Sequence, residues 1–180
     1  MGEFRLETER LVLREWREAD VAPFQRICSD PKVMMTLGPP LDLAATADLV
    51  ARMQRRQTER GHCCWALERR EDARLIGWYG PIVSPAGPIA GKVEIGWRLV
   101  SDCWGFGYAT EAAVASLDWA FANLPDDDVW ALTSVANRRS RSVMQRIGMS
   151  YVEGDDFDHP AIPEGDPLRR HVLYRITRPR

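Results

Sequence analysis

The residues best placed to do chemistry lie in VEIGWRLVSDCWGFGYATEAAVASLDWAF, residues 93–121. A strand-like run meets a glycine-rich turn there, and a helical period follows. Trp104-Gly105-Phe106-Gly107-Tyr108-Ala109 sets two glycines and a small residue where strand gives way to helix. Glycine lets a backbone turn tightly and approach a ligand closely. The first amides of the next helix have no internal acceptor, and the helix dipole adds about half a positive charge at that end. Together these make an anion site that suits a pyrophosphate. The six residues taken alone also suit an ordinary tight turn. A P-loop is excluded, because Gly-Tyr-Ala-Thr stands where Gly-Lys-Ser/Thr is required. A Rossmann turn follows the first strand of its unit, whereas this one comes in mid-chain after several strands.

The surrounding elements must hold that turn. Residues 10–15 (RLVLRE) alternate as a half-buried strand does. Asp20 is placed to cap a short helix through Phe24, Ile27 and Cys28 that stops near Pro31. Past Gly38-Pro39-Pro40, residues 43–60 form a helix with Leu43, Ala47, Val50 and Met53 along one face. Asp42 is its N-cap and Gly61 its end. Strand-like runs follow at 62–68, 74–83 and 92–100, the last two joined by a loop over 84–91. From 108 to 123 the period becomes 3.6, and Ala109, Ala112, Ala113, Ser116, Leu117, Ala120 and Phe121 form a stripe that packs closely on a sheet. Residues 129–135 are a strand, 139–147 a helix ended by Gly148, and 149–153 and 168–177 two more strands. The total is about seven strands and about four helices in one α+β domain over residues 1–180.

Composition supports a single globular unit. The chain has 180 residues, 45% hydrophobic and 28% charged, with a net charge of −2. It has enough length to bury a core without staples, and the charge gives no reason to bind nucleic acid. Cys28, Cys63, Cys64 and Cys103 form no CxxC pair and His62, His159 and His171 are scattered, which argues against a metal site or a disulfide framework. The beginning of the chain has neither a signal-peptide core nor a myristoylation pattern, and no apolar run reaches the ~20 residues of a membrane span. A reduced, cytoplasmic protein without a membrane partner is expected. Residues 154–167 (GDDFDHPAIPEGDP) are too long and polar for a tight hairpin, and they read either as a functional loop or as solvated surface.

Taken in order, VEIGWRL, CWGFGYATEAAVASLDWAF and ANRRSRSVMQRIGM resemble the GNAT superfamily of N-acetyltransferases. LETERLVLREWREAD and RLIGWYG are similar to its RimJ/RimL-like branch. The resemblance runs from about Leu6 to Ile176 and implies a GNAT-like fold: mostly antiparallel strands with a splayed central pair. It also implies acetyl-CoA as co-substrate, a protein N-terminus or small molecule as amine acceptor, and a homodimer. The pyrophosphate motif of the family aligns with Trp104, Gly107 and Ala109, with Trp104 in place of the usual Gln or Arg. By the resemblance, backbone around Ile95, Trp97 and Leu99 binds the pantetheine arm. Gly105, Gly107, Tyr108, Ala109 and Thr110 hold the pyrophosphate, while Asn137 and Ser140 approach the thioester. Arg138, Arg139 and Arg141 lie beside them, either reaching the phosphates or simply solvated.

The implied reaction is direct attack of an amine on the thioester, which requires a neutral amine, a polarised carbonyl and a proton for the thiolate. Glu94 is the candidate base, from its match to the glutamate the family carries there. The competing reading is a strand glutamate facing solvent or paired with an arginine. Amides near residues 95–97 could polarise the carbonyl. Ser140 is the candidate acid or sulfur partner, or else a plain residue of the first helical turn. Tyr151, near the place of a tyrosine acid in many relatives, falls on a strand and is set aside. Asp155, Asp156, Asp158, Glu164 and Asp166 would attract a cationic acceptor, and His159 is a secondary base or a solvated histidine. The segment 36–40 and the helix after it lie where the family builds its acceptor wall. A non-catalytic acyl-CoA-binding or sensing module is the alternative function.

Overall fold

The computed structural model describes residues 4–85 and 87–179. Residues 1–3, part of the leader reading, and Ala86, within the 84–91 loop, lie outside the described residues. In chain order the first elements are β1 (Arg5–Glu7), β2 (Leu11–Arg14), α1 (Val21–Ser29), α2 (Pro31–Met34) and α3 (Leu43–Arg60). The central ones are β3 (Trp65–Arg69), β4 (Arg74–Val83), β5 (Val93–Leu99), α4 (Tyr108–Asn123) and β6 (Asp128–Ser134). The last are α5 (Arg138–Arg146), β7 (Ser150–Tyr151), β8 (Phe157–Asp158) and β9 (Arg170–Thr177).

The strands make a single sheet in the order β1-β2-β3-β4-β5-β6-β9-β7, with β8 also paired to β9. All neighbours are antiparallel except β5 and β6, which run parallel. These two meet in register at one position, Glu94 opposite Trp130. Beyond it β5 stays in register with β4 from Ile95↔Pro81 to Leu99↔Gly77, while β6 continues with β9 from Ala131↔Tyr174 to Ser134↔His171. The central pair is therefore splayed, and the gap opens along residues 95–99, as the family resemblance implies.

Helices cover both faces. Trp65 of β3 packs edge-on against Trp119 of α4, with ring centroids 4.9 Å apart. On the opposite face Trp78 of β4 lies 5.5 Å from Phe24 of α1. Ala112, Ala113, Ser116, Leu117 and Ala120 of α4 are buried, so the small-residue stripe does bring that helix close to the sheet. Asp42 Oδ1 accepts from the Ala45 amide at 2.8 Å, and Gly61 ends α3 in the left-handed region at φ +75°.

Several expectations need correction. Among the described residues the sheet has nine strands and the chain five α-helices, because β1, β8 and α2 carry little sequence signal. Pro31 starts a helix instead of only stopping one: it occupies the first turn, where its missing N–H costs nothing, and Asp30 caps by accepting from Lys32 N at 2.9 Å. Asp20 stands at the N-cap position of α1 but does not cap it through its side chain, since that carboxylate is engaged by Arg14 and accepts from the Arg17 amide, capping the short turn at 18–20 instead. Nor is β2 half-buried, because all four of its residues are buried between the two helical layers.

Arg14 explains how a charge is tolerated there. Its Nη1 and Nη2 donate to the two Asp20 oxygens at 2.7 and 2.9 Å, and Nε donates to Glu68 Oε2 at 2.9 Å. Both carboxylates are mostly covered as well. Removing one partner of such a buried network strands the others without compensation. Arg14→Met is therefore expected to lower unfolding free energy by about 3–5 kcal/mol, read from urea midpoints. A loss under about 1 kcal/mol would show that water replaces the guanidinium there.

Candidate active site

The splay leads directly into the glycine turn. Trp104 Nε1 donates to Leu99 O at 3.1 Å and so ties the end of β5 to the turn. Gly105 and Gly107 both adopt φ +85°, a left-handed conformation that other residues enter at a cost. The first amide of α4 to find a helical acceptor is that of Glu111, which donates to Gly107 O at 3.0 Å. The amides of residues 105–110 donate to no backbone carbonyl among the described residues. They converge on the positive end of a sixteen-residue helix, as an anion site requires.

A clamp from the other end of the chain fixes this turn. Thr8 Oγ1 donates to Glu111 Oε1 at 2.6 Å, and the Arg10 amide donates to the same oxygen at 2.8 Å. Arg10 Nε reaches Glu111 Oε2 at 2.7 Å, and Nη1 reaches Phe106 O at 3.0 Å. The guanidinium also sits 4.7 Å from the centre of the Tyr108 ring. These bonds hold the Glu111 carboxyl below its ordinary value although partial burial alone would raise it. Sequence reading missed Thr8 and Arg10 and their partner Glu111, which lies 103 and 101 residues further on and carries no local signal.

Splay, turn and the head of α5 open into one cavity of about 1050 Å³. Of the residues expected to bind the co-substrate, Trp97, Leu99, Trp104, Gly105, Gly107, Tyr108, Ala109, Thr110, Asn137 and Ser140 all line it. Ile95 does not, since its side chain is 2% exposed in the core; only its backbone lies on the splayed edge. Asn137 is the N-cap of α5 and accepts from Ser140 N at 3.2 Å, which leaves the Ser140 hydroxyl at the cavity wall. The Arg139 guanidinium carbon sits over the Trp104 ring, 4.4 Å from its centroid, and Arg139 also lines the cavity. Arg141 turns away, to Tyr174 Oη at 3.2 Å and Val135 O at 3.3 Å. Free amides beside Arg10, Arg139 and Arg146 fit a long ligand bearing several phosphates. Met35, Thr36 and Leu37, from the segment leading into α3, form the facing wall.

Glu94 does not line that cavity. It sits at the apex of the splay, at the last rung β5 shares with β6. Burial raises its carboxyl above the ordinary 4.5, opposed by a hydrogen bond to Ser84 and by the charge of Arg56 on α3. Glu94 is part-buried, and among the described residues no ion pair holds it.

The acidic loop is more self-contained than its composition suggests. Asp158 pairs with Arg170 at 3.3 Å and Arg169 at 3.6 Å, and Asp156 accepts from Tyr151 Oη at 2.7 Å. Asp166 accepts from Leu168 N at 2.8 Å. His159 is part-buried, with its ring 5.0 Å from that of His171, and burial followed by that neighbour lowers its pKa. Among the described residues no cluster of metal-ligating side chains gathers, and no helix is long and apolar enough to cross a membrane.

Residues 10–150 match the family model of the GNAT acetyltransferase domain. The chain is similar to the uncharacterized protein YkkB of Bacillus subtilis (strain 168), 32% identical over 148 residues covering 82% of this chain and 86% of that one. It also resembles the FsC-acetyl coenzyme A-N(2)-transacetylase of Aspergillus fumigatus, 32% identical over 116 residues, 59% of this chain and 47% of that protein. Among solved structures, an acetyltransferase from Agrobacterium tumefaciens str. C58 matches with a TM-score of 0.78 at 31% identity, covering 99% of this chain and 96% of that one.

Proposed function

The chain belongs to the GNAT family of acetyltransferases, and on that premise we propose that it is an acetyl-CoA-dependent N-acetyltransferase acting on a primary amine, either a protein N-terminus or a small molecule. The observation that carries this reading is the splay of β5 from β6 running into a glycine turn with free amides, all on one cavity. Within it the amides of Gly105, Gly107, Ala109 and Thr110 hold the pyrophosphate, and the free edge of residues 95–99 aligns the pantetheine arm. When bound, acetyl-CoA supplies the thioester that a neutral amine attacks, the N–C bond forming as the C–S bond breaks. Glu94, set back from the cavity at the apex of the splay, takes the amine proton through water, and its raised pKa makes it the stronger base. The β5 amides at the apex polarise the carbonyl, and the Ser140 hydroxyl hydrogen-bonds the departing sulfur.

The same proposal treats residues 1–180 as one catalytic domain of the RimJ/RimL-like branch, which the anchor of Thr8 and Arg10 on Glu111 supports. Four unpaired cysteines favour a reducing, cytoplasmic setting. The family reading also carries a homodimer, which light scattering checks.

Calorimetric titration with acetyl-CoA, with ATP and NAD as controls, tests the reading. Micromolar binding selective for acetyl-CoA, followed by acetyl transfer to members of an amine panel, is the expected result. Failure to bind acetyl-CoA would remove the transferase and a sensing module together, while binding with no transfer to any amine would favour the sensor.

A further inference from the structure

One half-buried cation on the cavity, Arg98, has no counter-ion among the described residues. By the two-residue period of a strand, Glu94, Gly96 and Arg98 share one face of β5. That face is turned toward α1. The Arg98 guanidinium stands 5.3 Å from the Trp78 ring and 6.0 Å from the Phe24 ring, and Nη1 donates to Cys28 Sγ at 2.9 Å. Burial raises the Cys28 thiol, so that sulfur is neutral and offers no charge in return. Arg98 Nε is buried with no hydrogen-bond partner, and no carboxylate pairs with the guanidinium among the described residues. Yet Arg98 lines the cavity, with Lys32 on the same wall. Of the wall carboxylates, Glu111 is spent on Thr8 and Arg10.

A part-buried guanidinium left without an anion is costly, and two aromatic faces offset only part of that cost. The missing anion is best supplied by a ligand, because a guanidinium meets a carboxylate or phosphate with two parallel hydrogen bonds. The pyrophosphate cradle lies at the far end of β5, past Leu99. Glu94 lies four residues back on the same face, about 13 Å along the strand, with side-chain-free Gly96 between them.

Resting on the acetyltransferase reading above, we propose that Arg98 determines acceptor specificity by pairing with an anionic group, carboxylate or phosphate, carried by the acceptor amine itself. The substrate class is then an amino-acid-like amine, not the polycation that the acidic loop suggests. A phosphate of the co-substrate is the other source of the same chemistry.

The test compares amino acids with the amines left when their carboxylate is removed, such as phenylalanine against phenethylamine and alanine against ethylamine. Wild-type enzyme is expected to favour the acid member of a pair by about tenfold or more in kcat/KM, because a site built for a polar group rejects the analogue lacking it. Arg98→Gln is expected to erase that preference through KM, with kcat and the Kd for acetyl-CoA within about threefold. Arg98→Lys, which keeps the charge but loses the fork, recovers part of it. The comparison on wild-type enzyme stands even where the variants fold poorly. Equal rates on both members of every pair overturn the assignment and leave the transferase intact. If Arg98→Gln instead weakens acetyl-CoA, the anion belongs to the co-substrate and the acceptor assignment falls. If the enzyme binds acetyl-CoA and acetylates nothing, the transferase reading fails and takes this one with it.

Discussion

Replacement of Glu94 by glutamine is expected to lower kcat by about a hundredfold to ten-thousandfold, the usual contribution of a positioned base. Acetyl-CoA should bind as before, since Glu94 stands apart from the cavity wall. Glutamine keeps the shape, and its carbonyl still accepts a hydrogen bond from Ser84, so a loss of activity would not reflect lost packing. The pH dependence makes the prediction sharper. Glu94 acts only when ionised, and its folded pKa is raised above 4.5. With an acceptor whose amine is already neutral, kcat/KM of the wild type should therefore rise with pH through that raised value. The Gln variant should show no such limb. The stability signature has the opposite sign. A carboxyl whose pKa is raised by folding destabilises the fold above that pKa, and the penalty vanishes below the unfolded value. The variant should thus melt at the same temperature as the wild type or higher at pH 7, and that advantage should fade toward about pH 4. A drop of less than about fivefold in kcat would remove Glu94 as the base and leave positioning as the source of the rate.

How much of this the residues announced depends on the range of each signal. Helices α3 and α4 and strand β4 fall at their expected boundaries, because caps, glycine ends and hydrophobic period are local. The glycine turn was legible for the same reason. Pro31 misled because proline is permitted in the first turn of a helix and excluded from its interior, and only the Asp30 cap decides between them. β8 sits in an acid-rich stretch and forms only because β9 offers an edge, so nothing in its own composition marks it. The apex position of Glu94 came from resemblance, whereas its shifted carboxyl required knowing that it is buried beside Ser84 and within reach of the charge of Arg56. Arg98 looks like any strand arginine until β4 and α1 are in place. The clamp on the turn was the least visible part, since Thr8, Arg10 and Glu111 become neighbours only when β2 lies beside the head of α4.

That clamp sets the terms for the second large effect. Gly107→Val is expected to weaken acetyl-CoA binding by about a hundredfold or more, through backbone geometry and not lost side-chain contact. Gly107 sits at φ +85°, and a Cβ there would lie 3.4 Å from Arg10 Nη2. A β-branched residue resists that φ, so relief requires rotating the turn, whereas the contact with the end of the Arg10 side chain needs only a slight shift. Rotating the turn swings the amides of residues 107–110 away from a shared ligand and pulls Phe106 O and Glu111 from their bonds to Arg10. Gly105→Ala provides the comparison, because Gly105 has the same φ but nothing within 4 Å of an added Cβ. It should bear only the conformational cost, about 1–2 kcal/mol, spread between folding and binding. Glu111→Gln tests the clamp alone: the acetyl-CoA Kd should rise about tenfold while turnover at saturating acetyl-CoA stays near wild type, the pattern of lost ground-state binding. Titration of the three variants should rank Gly107→Val worst, Glu111→Gln next and Gly105→Ala mildest. Equal, small effects in all three would mean that the phosphates are held by the arginines and not by the amides of the turn.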